Sequence, residues 1–172
     1  MSLNEFRSFT PVTTANLLLG LTLPLGEYDP QNLTNLGANR YAFRLGLPII
    51  CPQEQFSGRT TTLEVVPNLH IFTENRETGL QQEPICTLEG HITQDFTAHF
   101  WGSFGFLWAR GGETRLNGLL QNGSQRSLWL ATALNYEFSP RWALNFRYGE
   151  TVAQNEFGLD GSLYHLKLVT RF

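Results

Sequence analysis

The chain has 172 residues, a formal net charge of −3, 41% hydrophobic residues and only 16% charged residues, with a single lysine, Lys167. A soluble domain averages about 25% charged residues, so the surface is unusual for a soluble protein. The net negative charge and the lack of a basic tract argue against a nucleic-acid partner. No stretch reaches the ~20 apolar residues of a membrane helix, and the N-terminal residues show no signal peptide.

Eight stretches of the chain alternate apolar and polar residues, which is the pattern of strands with two different faces. In chain order they cover residues 15–23, 40–49, 62–71, 86–93, 100–108, 128–138, 142–149 and 164–172. Long polar connections (26–39, 74–84, 110–125 and 150–161) take turns with short ones around 51–59, 94–97 and 139–141. The sequence therefore predicts an all-β, antiparallel up-and-down sheet with its long loops at one end.

The residue types on the two faces predict which face points to the inside of the barrel. The polar face carries small residues, which a narrow barrel needs inside: Gly20, Ala42, Gly46, Gly105, Ala131, Ala133, Ala143 and Gly149. The apolar face is nearly free of charge, and its aromatic residues cluster towards strand ends like the two interfacial belts of membrane barrels. A transmembrane β-barrel of about eight strands is favoured. A soluble lipocalin-like barrel that binds one small ligand is the alternative, because it has the same alternation.

Two prolines interrupt the alternating stretches. Pro48 and Pro67 have no backbone N–H, so each should lie at a bulge, at an unpaired position or at a sheet edge. The sequence leaves these three options open.

The charged residues of the polar face are the candidates for a functional site. Five positive groups (Arg40, Arg44, Arg147, Lys167 and Arg171) face four negative ones (Glu64, Glu89, Asp95 and Glu137), and this balance favours a structural ion-pair network. The predicted lumen-lining residues are Arg40, Arg44, Glu64, His70, Glu89, His91, Glu137, Arg147, His165 and Lys167.

Neither catalysis nor metal binding is predicted. His70, His91 and Glu89 share a face, and pairing of the third and fourth stretches should bring His70 near Glu89, but their spacing matches no ligand motif. Ser103, Ser127 and Ser162 lack assigned histidine and acid partners. No cofactor is expected.

Several short motifs carry a family resemblance by their order and spacing. They are Val12 to Leu17, Gly37 to Leu47, Leu88 to His91, Gly111 to Thr114, Tyr148 to Thr151 and Leu166 to Phe172. Over about residues 12–172 the chain resembles the outer-membrane family named for the MetA pathway of phenol degradation. The resemblance implies a porin-like β-barrel in the outer membrane of a Gram-negative bacterium, surrounded by lipid and involved in uptake of aromatic or other small hydrophobic compounds.

The C-terminal residues of the chain also resemble a feature of such barrels. Tyr164, Leu166, Leu168 and Phe172 resemble the C-terminal signal that the barrel-assembly machinery recognises in outer-membrane proteins. Residues 1–11 are expected to be an N-terminal extension and residues 12–172 the barrel domain, as the C-terminal portion of a larger barrel. The predicted function is passive uptake through a channel, and a non-transporting structural or adhesive barrel is the alternative.

Overall fold

The computed structural model describes residues 12–32, 34–55 and 59–170, so the predicted extension 1–11 lies outside the described residues. Within them the chain forms thirteen strands and no helix, so no helix long and apolar enough to cross a membrane is present there. The strands are β1 (Thr14–Ala15), β2 (Leu18–Thr22), β3 (Ala42–Gly46), β4 (Ile49–Gln55), β5 (Arg59–Phe72), β6 (Gln81–Gln82), β7 (Ile85–Asp95), β8 (Phe100–Gly111), β9 (Thr114–Leu116), β10 (Leu119–Leu120), β11 (Gln125–Ser139), β12 (Trp142–Gln154) and β13 (Ser162–Thr170).

The main sheet consists of eight extended segments, as the alternation predicts. β1 pairs with β4 and β2 pairs with β3 in one continuous register, so β1 and β2 form the first segment. β3 and β4 both pair with β5 in one continuous register and form the second segment. The order is then β5, β7, β8, β11, β12 and β13, and each strand is antiparallel to its neighbour. The up-and-down topology is confirmed. The sheet is open, with the segment β1/β2 at one edge of the described strands and β13 at the other.

The two prolines occupy different positions in this ladder. Pro48 lies in the gap between β3 and β4, where its carbonyl accepts the N–H of Asn16 at 2.9 Å. Pro67 lies inside β5, and its carbonyl accepts the N–H of Leu47 at 3.1 Å. Each proline carbonyl accepts one backbone hydrogen bond, but the proline has no N–H to donate the second bond of the pair. The ladder therefore lacks one hydrogen bond at each of these two neighbouring positions. Pro48 therefore marks an interruption, whereas Pro67 is tolerated within a strand.

The long loops carry structure that the alternation does not predict. β6 from one loop and β9 and β10 from the next form a separate three-stranded sheet. An ion pair between Arg115 and Glu83 joins the same two loops at 2.8 Å. The first long loop is joined to the second by a hydrogen bond, in which the side chain of Asn75 in the second loop donates to the carbonyl of Ala38 in the first at 2.9 Å. These strands are two or three residues long, too short to show a period in the sequence.

The apolar face of the main sheet is its exposed face. Residues that lie directly opposite each other in paired strands have their side chains on the same face of the sheet. On the apolar face, Leu19, Phe104 and Leu166 are 72%, 51% and 67% exposed. In the described strands, the charged residues of this face lie at the rims, at Arg59, Arg110, Arg126 and Glu150. This burial pattern is the opposite of a soluble barrel with a leucine interior.

Aromatic side chains bound the apolar face at both ends. Near the short turns the rings of Phe96 and Phe100 stack at 5.2 Å between centroids, while near the long loops the rings of Tyr148 and Tyr164 lie 5.0 Å apart. From Phe100 to Trp108 the strand rises by roughly 27 Å, which is comparable with the ~25 Å apolar band of membrane barrels. The two predicted belts are therefore present.

Candidate functional site

The polar face is the more buried side of the main sheet, and we call it the inner wall. Among the described residues other than glycine, those less than 9% exposed within the main sheet all lie on this face: Asn68, Ala109, Ser127, Asn135, Ala143 and Asn145. Large side chains crowd over glycines of neighbouring strands there. Such crowding is expected on the concave side of a curved sheet.

The predicted lumen-lining residues share this face with one exception. Nine of the ten lie at inner positions of the strands: Arg44, Glu64, His70, Glu89, His91, Glu137, Arg147, His165 and Lys167. Arg40 lies in the long loop before β3, where its guanidinium donates to the side chain of Gln82 and sits 4.6 Å from the ring centroid of Phe72. Arg40 therefore belongs to the rim at the loop end. Arg171 lies outside the described residues.

A polar cluster is centred on Asn68, which is 5% exposed. Its side-chain oxygen accepts from Nε of Arg44 at 3.0 Å, and its amide nitrogen donates to Glu89 at 3.3 Å and to Thr87 at 3.3 Å. Arg44 and Glu89 also form an ion pair at 3.4 Å. Asn68 thus holds an arginine and a glutamate from two strands that do not pair with each other.

His70 and Glu89 approach each other through their side chains and not as direct partners in the register, because the Glu89 carboxylate contacts Arg44, which lies opposite His70. His70 lies opposite Ile85 in β7, and Glu89 lies opposite Val66, four residues before His70 in β5. His91 instead lies opposite Glu64, and its ring covers Gly105 of β8. In the part of the chain that the structure describes, no group of three or more His, Cys, Asp or Glu residues could hold a metal ion.

Four further charges of the inner wall lie far apart and do not pair. Glu64 and Asp95 lie on β5 and β7, whereas Arg147 and Lys167 lie on β12 and β13. None of these four forms an ion pair with a described residue. With strands spaced about 4.8 Å apart, the four steps from β5 to β12 amount to ~19 Å, beyond the reach of two side chains in contact. Of these four charges, the two acidic ones therefore lie on one side of the inner wall, the acidic side, and the two basic ones lie on the other, the basic side. Glu137 of β11 lies opposite Ala143, four residues along β12 from Arg147.

A recess of about 400 Å³ lies between these two sides. Its floor consists of side chains no larger than that of serine, from β8 and β11, and its borders include Trp101, His91 and Arg147. The floor residues are Ser103, Ala131 and Ala133, and Gly105 lies under the ring of His91 at the border. The recess is open because its floor residues are small, whereas the residues on both of its sides carry long side chains.

Gly149 is required by the packing of Trp129. A Cβ atom on Gly149 would lie 2.7 Å from Nε1 of the indole. We expect Gly149→Ala to lower the free energy of unfolding by about 1–2 kcal/mol, because an extra methyl group in a packed site forces its neighbour to move. Urea unfolding of the protein in lipid vesicles measures this. In a Trp129→Leu background the same substitution should cost much less, and an equal cost in both backgrounds would contradict the contact.

Asn68 and Trp129 were not singled out as site residues from the sequence. Both fall on the polar face of their stretches, so their face is readable from the alternation. Their roles depend on which residues of neighbouring strands lie beside them, and the register decides that.

The C-terminal motif is placed on the outer face. Tyr164, Leu166 and Leu168 are exposed on β13, and Phe172 lies outside the described residues. Their role as an assembly signal stays a prediction.

Comparisons with known proteins agree with this architecture. A family model described as "Putative MetA-pathway of phenol degradation" matches residues 2–164. A search of curated proteins gives no match. Among solved structures, the crystal structure of the COG4313 outer membrane channel from Pseudomonas putida F1 superposes with a TM-score of 0.70 at 17% sequence identity, over 91% of this chain and 57% of that chain. At that identity the likeness shows the fold, that of an antiparallel transmembrane β-barrel, and this chain spans 57% of the channel's length. The chain belongs to the family of the MetA pathway of phenol degradation.

Proposed function

We propose that this chain contributes the eight extended segments of its main sheet to an outer-membrane channel of a Gram-negative bacterium and that the channel passes small organic compounds passively. One observation carries the proposal: Glu64, Asp95, Arg147 and Lys167 lie on the inner wall without an ion pair to any described residue. Unpaired charges are too costly in a dry interior, so they require water beside them. A water-filled lumen is the property that separates a channel from a plugged structural barrel.

The outer face supports a membrane location for this wall. Its exposed leucines and phenylalanines lie between two aromatic belts, and lipid is the partner that such a surface fits. The barrel-assembly machinery is the second proposed partner, through β13. The family's association with phenol degradation supports a small aromatic or other hydrophobic solute as the cargo. No catalytic activity and no cofactor are part of this proposal.

Conductance of the full-length protein in planar lipid bilayers tests the channel. We expect stepwise ionic currents without any added ligand, because the lumen is wet. Ala131→Trp fills the recess and should lower the current through each open channel, while Leu130→Trp, its neighbour on the outer face, should leave the current unchanged. A folded, membrane-inserted protein that passes neither ions nor phenol would overturn the proposal and favour a non-transporting barrel.

A further inference from the structure

We infer that the recess beside Arg147 is a binding site for small aromatic carboxylates on their way through the lumen. The inference rests on the proposed channel and deepens it by naming a class of solute. Its elements are a cation, a floor open enough for a ring, and a charge gradient that orients the solute.

Arg147 supplies the cation. Its Nε donates to Oδ1 of Asn145 at 3.1 Å, and Asn145 is only 6% exposed, so a buried side chain orients the guanidinium. No carboxylate of the described residues pairs with Arg147. The terminal nitrogens of a guanidinium form a planar fork that matches a carboxylate with two parallel hydrogen bonds. Arg147 is therefore held in place without a carboxylate partner of its own in the described wall.

The floor of the recess supplies room for an aromatic ring. Its side chains end at Cβ or Oγ, and the cavity of about 400 Å³ also borders Trp101 and Leu163. An apolar cavity of ~150 Å³ already holds a benzene molecule. A ring with one carboxylate therefore fits over Ala131 and Ala133 with its charged end towards Arg147. The indole of Trp101 offers an aromatic surface at the edge of the same cavity.

The distribution of charge favours an anion on this side. His165 lies directly opposite Arg147, and Lys167 lies opposite Asn145, so the basic groups of β12 and β13 are adjacent. Glu64 borders the far side of the recess, next to His91. A carboxylate is attracted to one side and repelled from the other, which fixes the direction in which the solute lies. Because Arg147 is exposed to the lumen, binding should be weak enough for the solute to leave again.

Equilibrium binding to the full-length protein in lipid nanodiscs tests the inference, with benzoate and the neutral benzyl alcohol as probes in ligand-observed NMR titrations. We expect benzoate to bind more tightly than benzyl alcohol. Arg147→Gln should weaken benzoate binding about fivefold to tenfold, since a charge-assisted pair is lost and the site is partly solvated. Benzyl alcohol binding should not change.

Matched variants separate the site from a general effect of charge. Arg110→Gln makes the same charge change on the outer-face rim and should leave benzoate binding unchanged. Arg147→Lys keeps the charge without the fork and should lie between wild type and Arg147→Gln, which keeps the test valid if Arg147→Gln folds poorly. Equal effects of Arg147→Gln and Arg110→Gln, or equal binding of the two probes, would overturn the site. Benzoate binding in a protein that conducts no ions would support the site and contradict the channel.

Discussion

Phe104→Arg destabilises the folded barrel by roughly 2–4 kcal/mol in lipid vesicles, the range for a cationic side chain at the midplane of a barrel's lipid face. Phe104 lies midway between Phe100 and Trp108 on the exposed apolar face of β8 and is 51% exposed. An arginine there must either enter hydrocarbon or bend towards the headgroups. Urea unfolding monitored by tryptophan fluorescence measures the change in unfolding free energy.

Ser103→Arg is the matched control for this experiment. Ser103 precedes Phe104 on the same strand and faces the inner wall, so the same side chain enters the lumen. We expect a far smaller loss of stability, because water in the lumen solvates the guanidinium. If the two variants lose stability equally, or Ser103→Arg loses more, the assignment of the two faces is wrong.

Asn68→Leu lowers the free energy of unfolding by about 2–3 kcal/mol, since it leaves polar groups at a buried position without partners. The substitution removes an acceptor for Arg44 and a donor for Glu89 and Thr87. The ion pair between Arg44 and Glu89 is left with both partners still charged beside an apolar side chain. Unfolding in vesicles measures the loss.

Asn135→Leu provides the control for Asn68→Leu. Asn135 is 8% exposed on the same inner wall, and its side chain forms no hydrogen bond with another described residue. The same change of side chain at similar burial should therefore be close to neutral. Equal losses at both positions would show that burial, and not the cluster around Asn68, sets the cost.

The face of each strand residue was predictable because it depends on a local property. Side chains alternate with period two, so Phe104 and Ser103 must point to opposite sides whatever strand lies beside them. The same logic predicted the aromatic belts and placed nine of the ten lumen candidates on one face. Arg40 was the exception, since the strand begins only at Ala42 and the loop geometry places Arg40 at the rim.

The contacts across strands were not predictable to the same degree. His70 and Glu89 were expected to lie near each other, and Glu89 lies opposite Val66, four residues before His70, with its carboxylate on Arg44, the residue opposite His70. Loop length decides that offset, and here a small sheet of β6, β9 and β10 occupies the loops. The near balance of five positive and four negative inner charges predicted that many of them pair. Balance in number carries no information on distance, and the strand order keeps Glu64 and Arg147 four strands apart.

By itself, the sequence determined the class of fold, the eight extended segments and the division into a lipid-facing and a polar face. Those features follow from period two and from composition, which are local or additive properties of the chain. The tertiary structure decided the cluster around Asn68, the position of Trp129 over Gly149, the separated acidic and basic sides, and the recess between them. Each of these depends on the register between strands, which a single strand's alternation leaves open because any shift by two residues preserves both faces.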